Sequence, residues 1–233
     1  MLGSIVNAIT IVVCSLAGVL IGGRLKPAFK EIAIQAVGMS VIFIGAVGTI
    51  TNLQDKNANP VLFIISLVIG GLAGQAIDIE AKVKRLGDLL EAKFAKSGSP
   101  VSQGFVSASI LFCVGSMAIL GSIESGVKGV HNILFAKSVL DGVISVVFAS
   151  TMGIGVVLSA GSVLVYEGGL TLLSHVISPY MSADMIREIS IVGGVLVAGI
   201  GIDMLGIRKI NVANLLPAIL VPVIYYLVLP LFH

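Results

Sequence analysis

Residues 133–158, ILFAKSVLDGVISVVFASTMGIGVVL, form an apolar run whose only charges are Lys137 and Asp141, four positions apart. About 20 apolar residues in a helix cross the roughly 30 Å of a bilayer's hydrocarbon, so this run reads as membrane-spanning helix and decides the fold class. On a helix, positions i and i+4 share a face with Cβ atoms about 5–6 Å apart, close enough for an ion pair. An ionisable side chain at that depth costs roughly 2.5–3.5 kcal/mol on insertion scales unless it is paired or wetted. Such a pair therefore marks either a self-neutralising bridge or a working site.

Composition extends the reading to the whole chain. Of 233 residues, 57% are apolar and only 11% charged, and the mean hydropathy is +1.11. A soluble domain carries about 25% charged residues to cover its surface. A polytopic membrane protein is implied. The net charge of +2 is too small to imply a nucleic-acid partner, and none is expected. Cys14 and Cys113 both lie inside apolar segments, which points to buried small hydrophobes and away from a disulfide framework. The first apolar stretch has no basic region before it and runs into Arg24, the pattern expected of a retained anchor, not a cleaved signal peptide.

Cut at its polar punctuation, the chain yields eight candidate spans: 3–23, 32–52, 60–78, 104–123, 133–153, 157–176, 188–206 and 212–231. The expected fold is all-α, a bundle of about eight transmembrane helices. The junction of the fifth and sixth spans carries only Gly153, Gly155, Ser159, Gly161 and Ser162 as punctuation, so a tight hairpin and a broken or re-entrant helix both fit. Pro217 and Pro222 should kink the eighth span. Gly18/Gly22, Gly70/Gly74 and Gly194/Ala198 have the small-xxx-small spacing that lets membrane helices approach closely.

Lys and Arg in alternate connections fall ten to one side (Arg24, Lys26, Lys30, Lys82, Lys84, Arg85, Lys93, Lys96, Arg208, Lys209) and three to the other (Lys56, Lys128, Arg187). By the positive-inside rule, eight spans then place both termini outside. The connection 79–102 sets Ile79, Val83, Leu86, Leu89, Leu90 and Phe94 at helical spacing against Lys and Glu. It reads as an amphipathic helix on the cytoplasmic membrane face, with a solvated helical hairpin as the equal alternative.

The two halves resemble one another. TIVVCSLAGVLIG from Thr10 to Gly22 aligns with SILFCVGSMAILG from Ser109 to Gly121, both cysteines in register. Ser40-Val-Ile-Phe43 with Gly48 matches Ser145-Val-Val-Phe148 with Gly153, and Gly70-Gly-Leu72 matches Gly168-Gly-Leu170. Three spans between copies would invert the second in the membrane, a plan common among secondary transporters. The expected organisation is a repeat of three helices over 1–78, the cytoplasmic connector 79–102, an inverted repeat of three over 103–178, and two additional helices over 179–233. The likeness of Ala198-Gly-Ile-Gly-Ile-Asp203 to Ala73-Gly-Gln-Ala-Ile-Asp78 does not fit that symmetry and sets the last two helices apart.

Gly3-Ser-Ile-Val-Asn7, Gly115-Ser-Met-Ala-Ile-Leu-Gly121, Phe135-Ala-Lys-Ser-Val-Leu-Asp-Gly142, Phe148-Ala-Ser-Thr-Met-Gly-Ile-Gly155 and Asn214-Leu-Leu-Pro-Ala218 together resemble the DUF554 family of bacterial inner-membrane proteins. The resemblance covers nearly the whole chain. It implies a multi-span protein of the bacterial inner (plasma) membrane with a role in transport, and it carries over no residue roles.

The site must come from the residues. Lys137 and Asp141 are either a switchable element, whose partner exchange a solute or ion could drive, or a permanent bridge with Lys137 snorkelling to the interface. Ser138 and Ser145 lie seven apart on the face of Asp141. Asn7 is one turn into the first span and can donate and accept at once. Glu167, Thr171 and His175 are spaced to lie in file, as a proton relay would need. The bland alternative makes Glu167 a helix cap and leaves His175 in the interface. Gly153 and Gly155 could allow an unwound segment. Asp78, Asp203, Gln75, Asn211 and Asn214 read as helix-terminal hydrogen-bonders.

The substrate-binding candidates are thus Asn7, Lys137, Asp141 and Ser145, and the coupling or gating candidates Glu167, His175, Gly153 and Gly155. No metal-ligand spacing, CxxC, phosphate loop or GxSxG elbow is present, so no enzyme and no cofactor are expected. The reading is a secondary transporter of a small polar or charged solute coupled to H+ or Na+, its partners being the lipid bilayer and those solutes, with a homo-oligomer left open. An ion channel, or a structural or regulatory membrane protein acting through its amphipathic connector, are the alternatives.

Overall fold

The computed structural model describes every residue but 25, 83, 84, 86–100, 114, 115 and 229–233. Among the described residues all regular structure is helical. The helices are α1 (Leu2–Gly22), α2 (Pro27–Leu53), α3 (Pro60–Ile77), α4 (Val101–Cys113), α5 (Ser116–Val127), α6 (Asn132–Met152), α7 (Gly155–Leu172), the short α8 (Ser174–Ile177), α9 (Ala183–Met204), α10 (Val212–Leu215) and α11 (Leu220–Val228). The connector expected to be amphipathic lies for the most part outside the described residues.

Among the described residues six helices, α1, α2, α3, α6, α7 and α9, are long and apolar enough to cross a bilayer, and a seventh results if α4 and α5, bent by 60° at their break, are one span. Eight were expected. The eighth, 212–231, runs on into residues outside the described ones, and its described apolar part, Val212–Val228, is by itself shorter than a full crossing. Within it, Pro217 sits in a 3-10 turn, Leu216–Ile219, that interrupts the helix; proline cannot donate the hydrogen bond an α-helix needs there.

Two compact units are interleaved along the chain: Met1–Val37, Val83–Cys113 and Met117–Ser178 form one, and Gly38–Lys82, Val114–Ser116 and Pro179–His233 the other. Packing partners are therefore not set by the order of segments 1–78, 103–178 and 179–233.

In the first unit α6 and α7 form an antiparallel hairpin turning at Gly153, whose φ of +75° suits glycine and strains other residues. That resolves the ambiguous junction in favour of a hairpin. Beside it α1 runs parallel to α6, with Gly3 against Leu134, Gly18 against Val146 and Ala149, and Gly22 against Ser150. At Gly18 and Gly22 an added Cβ would run into the backbone carbonyls of Val146 and Ser150, so the small-xxx-small pair serves the close approach its spacing predicted. The helix α4 runs parallel to α7, joined by Ser109 Oγ donating to Ser162 Oγ at 3.1 Å.

In the second unit the C-terminal part of α2 runs antiparallel to α9, with Gly45 against Gly194 and Ala198 and Gly38 against Gly201. Gly70 and Gly74 of α3 meet Ala218 and Asn214 in the same way. Asn59 caps α3, accepting from the backbone N–H groups of Val61 and Leu62 at 3.1 Å each, and Ser182 caps α9 through Met185 N–H at 3.1 Å.

The polarity of the surface is inverted relative to a soluble bundle. On α1, Ile9, Val13 and Leu20 are exposed while Ser4, Asn7 and Ser15 are buried. On α6, Val139, Leu140 and Val143 are exposed while Lys137, Ser138, Asp141 and Ser145 are buried. Apolar side chains outside and polar ones inside is the arrangement lipid requires. The protein is a membrane protein.

Candidate functional site

A buried polar cluster in the first unit joins α1, α6 and α7. Asp141 is the tenth of the 21 residues of α6, near mid-span, and Lys137 stands one turn before it on the same face. Across the hairpin, Asp141 precedes Gly153 by 12 residues and Glu167 follows it by 14. At 1.5 Å per residue both carboxylates therefore stand about 20 Å from the turn, which is why the antiparallel pairing brings them together.

The Lys137 ammonium donates to Asp141 Oδ2 and lies 3.3 Å from Glu167 Oε1. Asn7 closes the cluster from α1, its Nδ2 donating to Asp141 Oδ2 at 2.9 Å and to Glu167 Oε1 and Oε2 at 3.0 and 3.2 Å. The four side chains are enclosed, Asn7 and Glu167 being 0% exposed and Lys137 and Asp141 6%. Two carboxylates thus share one ammonium and one neutral amide, leaving one excess negative charge when all the acids are ionised. Asn7 Oδ1 is buried and without a donor.

Neighbouring turns extend the polarity. Ser4 and Thr171 pair at 3.3 Å, one turn from Asn7 on α1 and one turn from Glu167 on α7. Ser145, one turn from Asp141, is buried with its hydroxyl unpartnered, as is Ser174 beyond Thr171.

The sequence candidates fare unequally. Asn7, Lys137, Asp141 and Glu167 come together, and Ser145 lies on the adjoining turn. Lys137 points inward to two acids instead of snorkelling, and Glu167 is a buried ligand of the cluster instead of a rim cap. His175 is not brought in. The file of Glu167, Thr171 and His175 assumed an unbroken helix, whereas α7 ends at Leu172 and His175, on α8, is exposed. The buried hydroxyl next in line is Ser174. Gly153 and Gly155 form the hairpin turn and the crossing point of α4, where a Cβ on Gly155 would strike the Val101 carbonyl. They shape the hairpin at a distance from the cluster.

A second polar group, in the other unit, was not foreseen. Glu188 is fully buried and its Oε1 accepts the Asn59 backbone N–H at 2.7 Å, while Arg187 donates to the Asn57 carbonyl at 3.0 Å and to Asp184 at 2.5 Å. These residues tie the start of α3 to the first turns of α9. The signal in the sequence was Ser182, whose capping role starts α9 five residues earlier than hydropathy does and carries Glu188 inside the helix. Asn214, as expected of a helix-terminal residue, bonds Gln75 at 3.0 Å and the Glu80 N–H at 2.7 Å. Both cysteines are free thiols.

A family model described as "Protein of unknown function (DUF554)" matches residues 2–227. The chain belongs to the DUF554 family. This DUF554 protein is 36% identical over 232 residues to the "Uncharacterized membrane protein YdfK" of Bacillus subtilis (strain 168), covering all of this chain and 98% of the relative. It is 27% identical over 224 residues to the "Uncharacterized protein YqgA" of Escherichia coli (strain K12), covering 94% of this chain and 93% of the relative. No solved structure matches this DUF554 chain. The cluster of Asn7, Lys137, Asp141 and Glu167 lies wholly within the matched residues.

Proposed function

We propose that this protein is a secondary transporter of a small polar or charged solute, coupled to a proton or sodium gradient across the bacterial inner membrane, with Asn7, Lys137, Asp141 and Glu167 as its central site. The observation that carries the reading is the third charge. A Lys137–Asp141 bridge would already neutralise itself, and a bundle built for stability alone gains nothing from a further carboxylate at 0% exposure. An unbalanced acid held in mid-bundle on neighbouring helices is what a site needs if an ion or solute is to change its partners. Ser145, one turn away, belongs to the same surface. The cluster is enclosed, so the transport reading requires α1 or the α6–α7 hairpin to move for access.

The likeness of 10–22 to 109–121, which fall on α1 and on α4 and α5, supports an inverted repeat as part of the same proposal. Placing both termini outside requires an even number of crossings. With six full spans, the bent α4–α5 pair and the apolar stretch Val212–Val228 then either both cross or neither does, and eight crossings need both, which reporter fusions at residues 55 and 128 and at the C-terminus would check.

The direct test is uptake by purified protein in liposomes, screened over amino acids, organic acids, amines and inorganic ions with and without a pH or sodium gradient. Accumulation that depends on one gradient and is lost in Asp141→Asn supports the carrier. Uncoupled conductance would replace it by a channel, and no flux under any gradient would sink transport.

A further inference from the structure

We infer that the buried cluster is a single-proton site, with Glu167 taking the proton, Lys137 acting as its tethered counter-cation, and Asn7 reading the protonation state through its amide. This rests on the transport reading only in what the proton is used for; the site itself stands on geometry.

Charge comes first. Among the described residues the ion pairs of Asp141 and Glu167 are both with Lys137. Among the described residues, Cys113 of α4 and Tyr166 of α7 also lie in electrostatic reach, and neither carries positive charge. The ionised cluster is one unit negative, so it calls for one monovalent cation and repels an anionic solute. Position then selects the cation. The Lys137 ammonium already occupies the seat between the two carboxylates where a metal ion would have to sit. A proton needs no such seat.

The two acids differ. Asp141 is bonded directly to Lys137, whereas Glu167 has the longer 3.3 Å pair and otherwise only the amide of Asn7. The excess charge therefore rests on Glu167. Protonation, Glu167 carboxylate plus one proton from water giving the carboxylic acid, neutralises the cluster and creates an O–H donor. Asn7 Oδ1 is a buried acceptor with no donor of its own. Turning the amide over by half a turn about its terminal bond replaces N–H donation to the carboxylate by acceptance from the acid, and withdraws Nδ2 from Asp141. Asn7 is thus the element through which a proton on α7 changes what α6 and α1 offer a solute. The paired hydroxyls of Ser4 and Thr171 lie one turn from Glu167 along α1 and α7.

The test is infrared difference spectroscopy of the purified full chain in lipid nanodiscs, stepping between alkaline and acidic buffer. One protonated-carboxyl band is expected, of one group per chain, absent in Glu167→Gln, retained in Glu188→Gln, and appearing only in more acidic buffer in Asp141→Asn, where Lys137 is left to balance Glu167 alone. If Glu167→Gln does not fold, 13C-glutamate labelling of Glu188→Gln protein serves instead: the band must shift with label on glutamate and not with label on aspartate. A band that survives in Glu167→Gln, moves with aspartate label, or is missing altogether overturns the proposal. So does binding of 22Na+ to wild type that Glu167→Gln abolishes, because the cation would then be sodium. A Glu167 band in a protein that moves no solute would sink the carrier and leave the proton site standing.

Discussion

Replacing Lys137 by Met removes the one ammonium of the cluster while keeping its bulk and its fit in the helix. Asn7 Nδ2 lies 2.9 Å from Asp141 Oδ2 and 3.0 Å from Glu167 Oε1, so the two carboxylate oxygens are at most about 6 Å apart; at an effective dielectric of about 20 two unit charges at that distance repel by about 3 kcal/mol. Removing one partner of a buried ion pair costs about 3–5 kcal/mol in other proteins, in agreement with that figure. At 1.36 kcal/mol per factor of ten, the folded fraction of Lys137→Met should fall relative to the unfolded by about 10² to 10³ or more. The assay is reversible unfolding of the purified protein in mixed micelles of mild detergent and dodecyl sulfate, followed by helical circular dichroism. The triple variant Lys137→Met, Asp141→Asn, Glu167→Gln has the same side-chain volumes and no charge, and should recover most of the loss. If Lys137→Met unfolds like wild type, or if the neutral triple variant is as weak as the single one, the reasoning about an under-neutralised cluster is wrong.

The helix seam supplies a paired test: Gly22→Ala drives a methyl group into the Ser150 carbonyl and should lower yield and thermal midpoint, whereas Gly161→Ala, which meets nothing within 4 Å, should leave both unchanged or slightly raised. Asn59→Ala removes the cap of α3 and should cost about 1 kcal/mol in the same unfolding assay. Glu188→Leu should loosen the residues before α3, read as faster amide exchange at Asn59, and Glu188→Gln, which still presents an acceptor to that N–H, should protect it nearly as well as wild type.

Periodicity and polarity were enough for the class of the protein and for half of its site. Lys137 and Asp141 could be paired from spacing because both are on one helix, where geometry is local. Asn7 and Glu167 could be nominated only as isolated polar residues in apolar surroundings; that they meet depends on a turn at Gly153 and on α1 lying parallel to α6. His175 fails for the converse reason, since the file through Glu167 and Thr171 presumed a helix that in fact ends at Leu172. Glu188 was hidden by hydropathy, which began the span at the acid itself, although Ser182 announced the true start.

Composition left the chain no alternative to lipid, since 11% charged residues cannot clothe 233 residues in water, and the spacing of small residues along α1, α3 and α9 already prescribed faces that pack closely. Which helices those faces would meet was a tertiary matter. An apolar helix surface fits many partners about equally well in a bilayer, so adjacency is decided by the sum of close packings and by where the few buried charges can be satisfied. Here that sum set Asn7 and Glu167 against the Lys137–Asp141 pair, turning a bridge that balances itself into a cluster one charge short of balance.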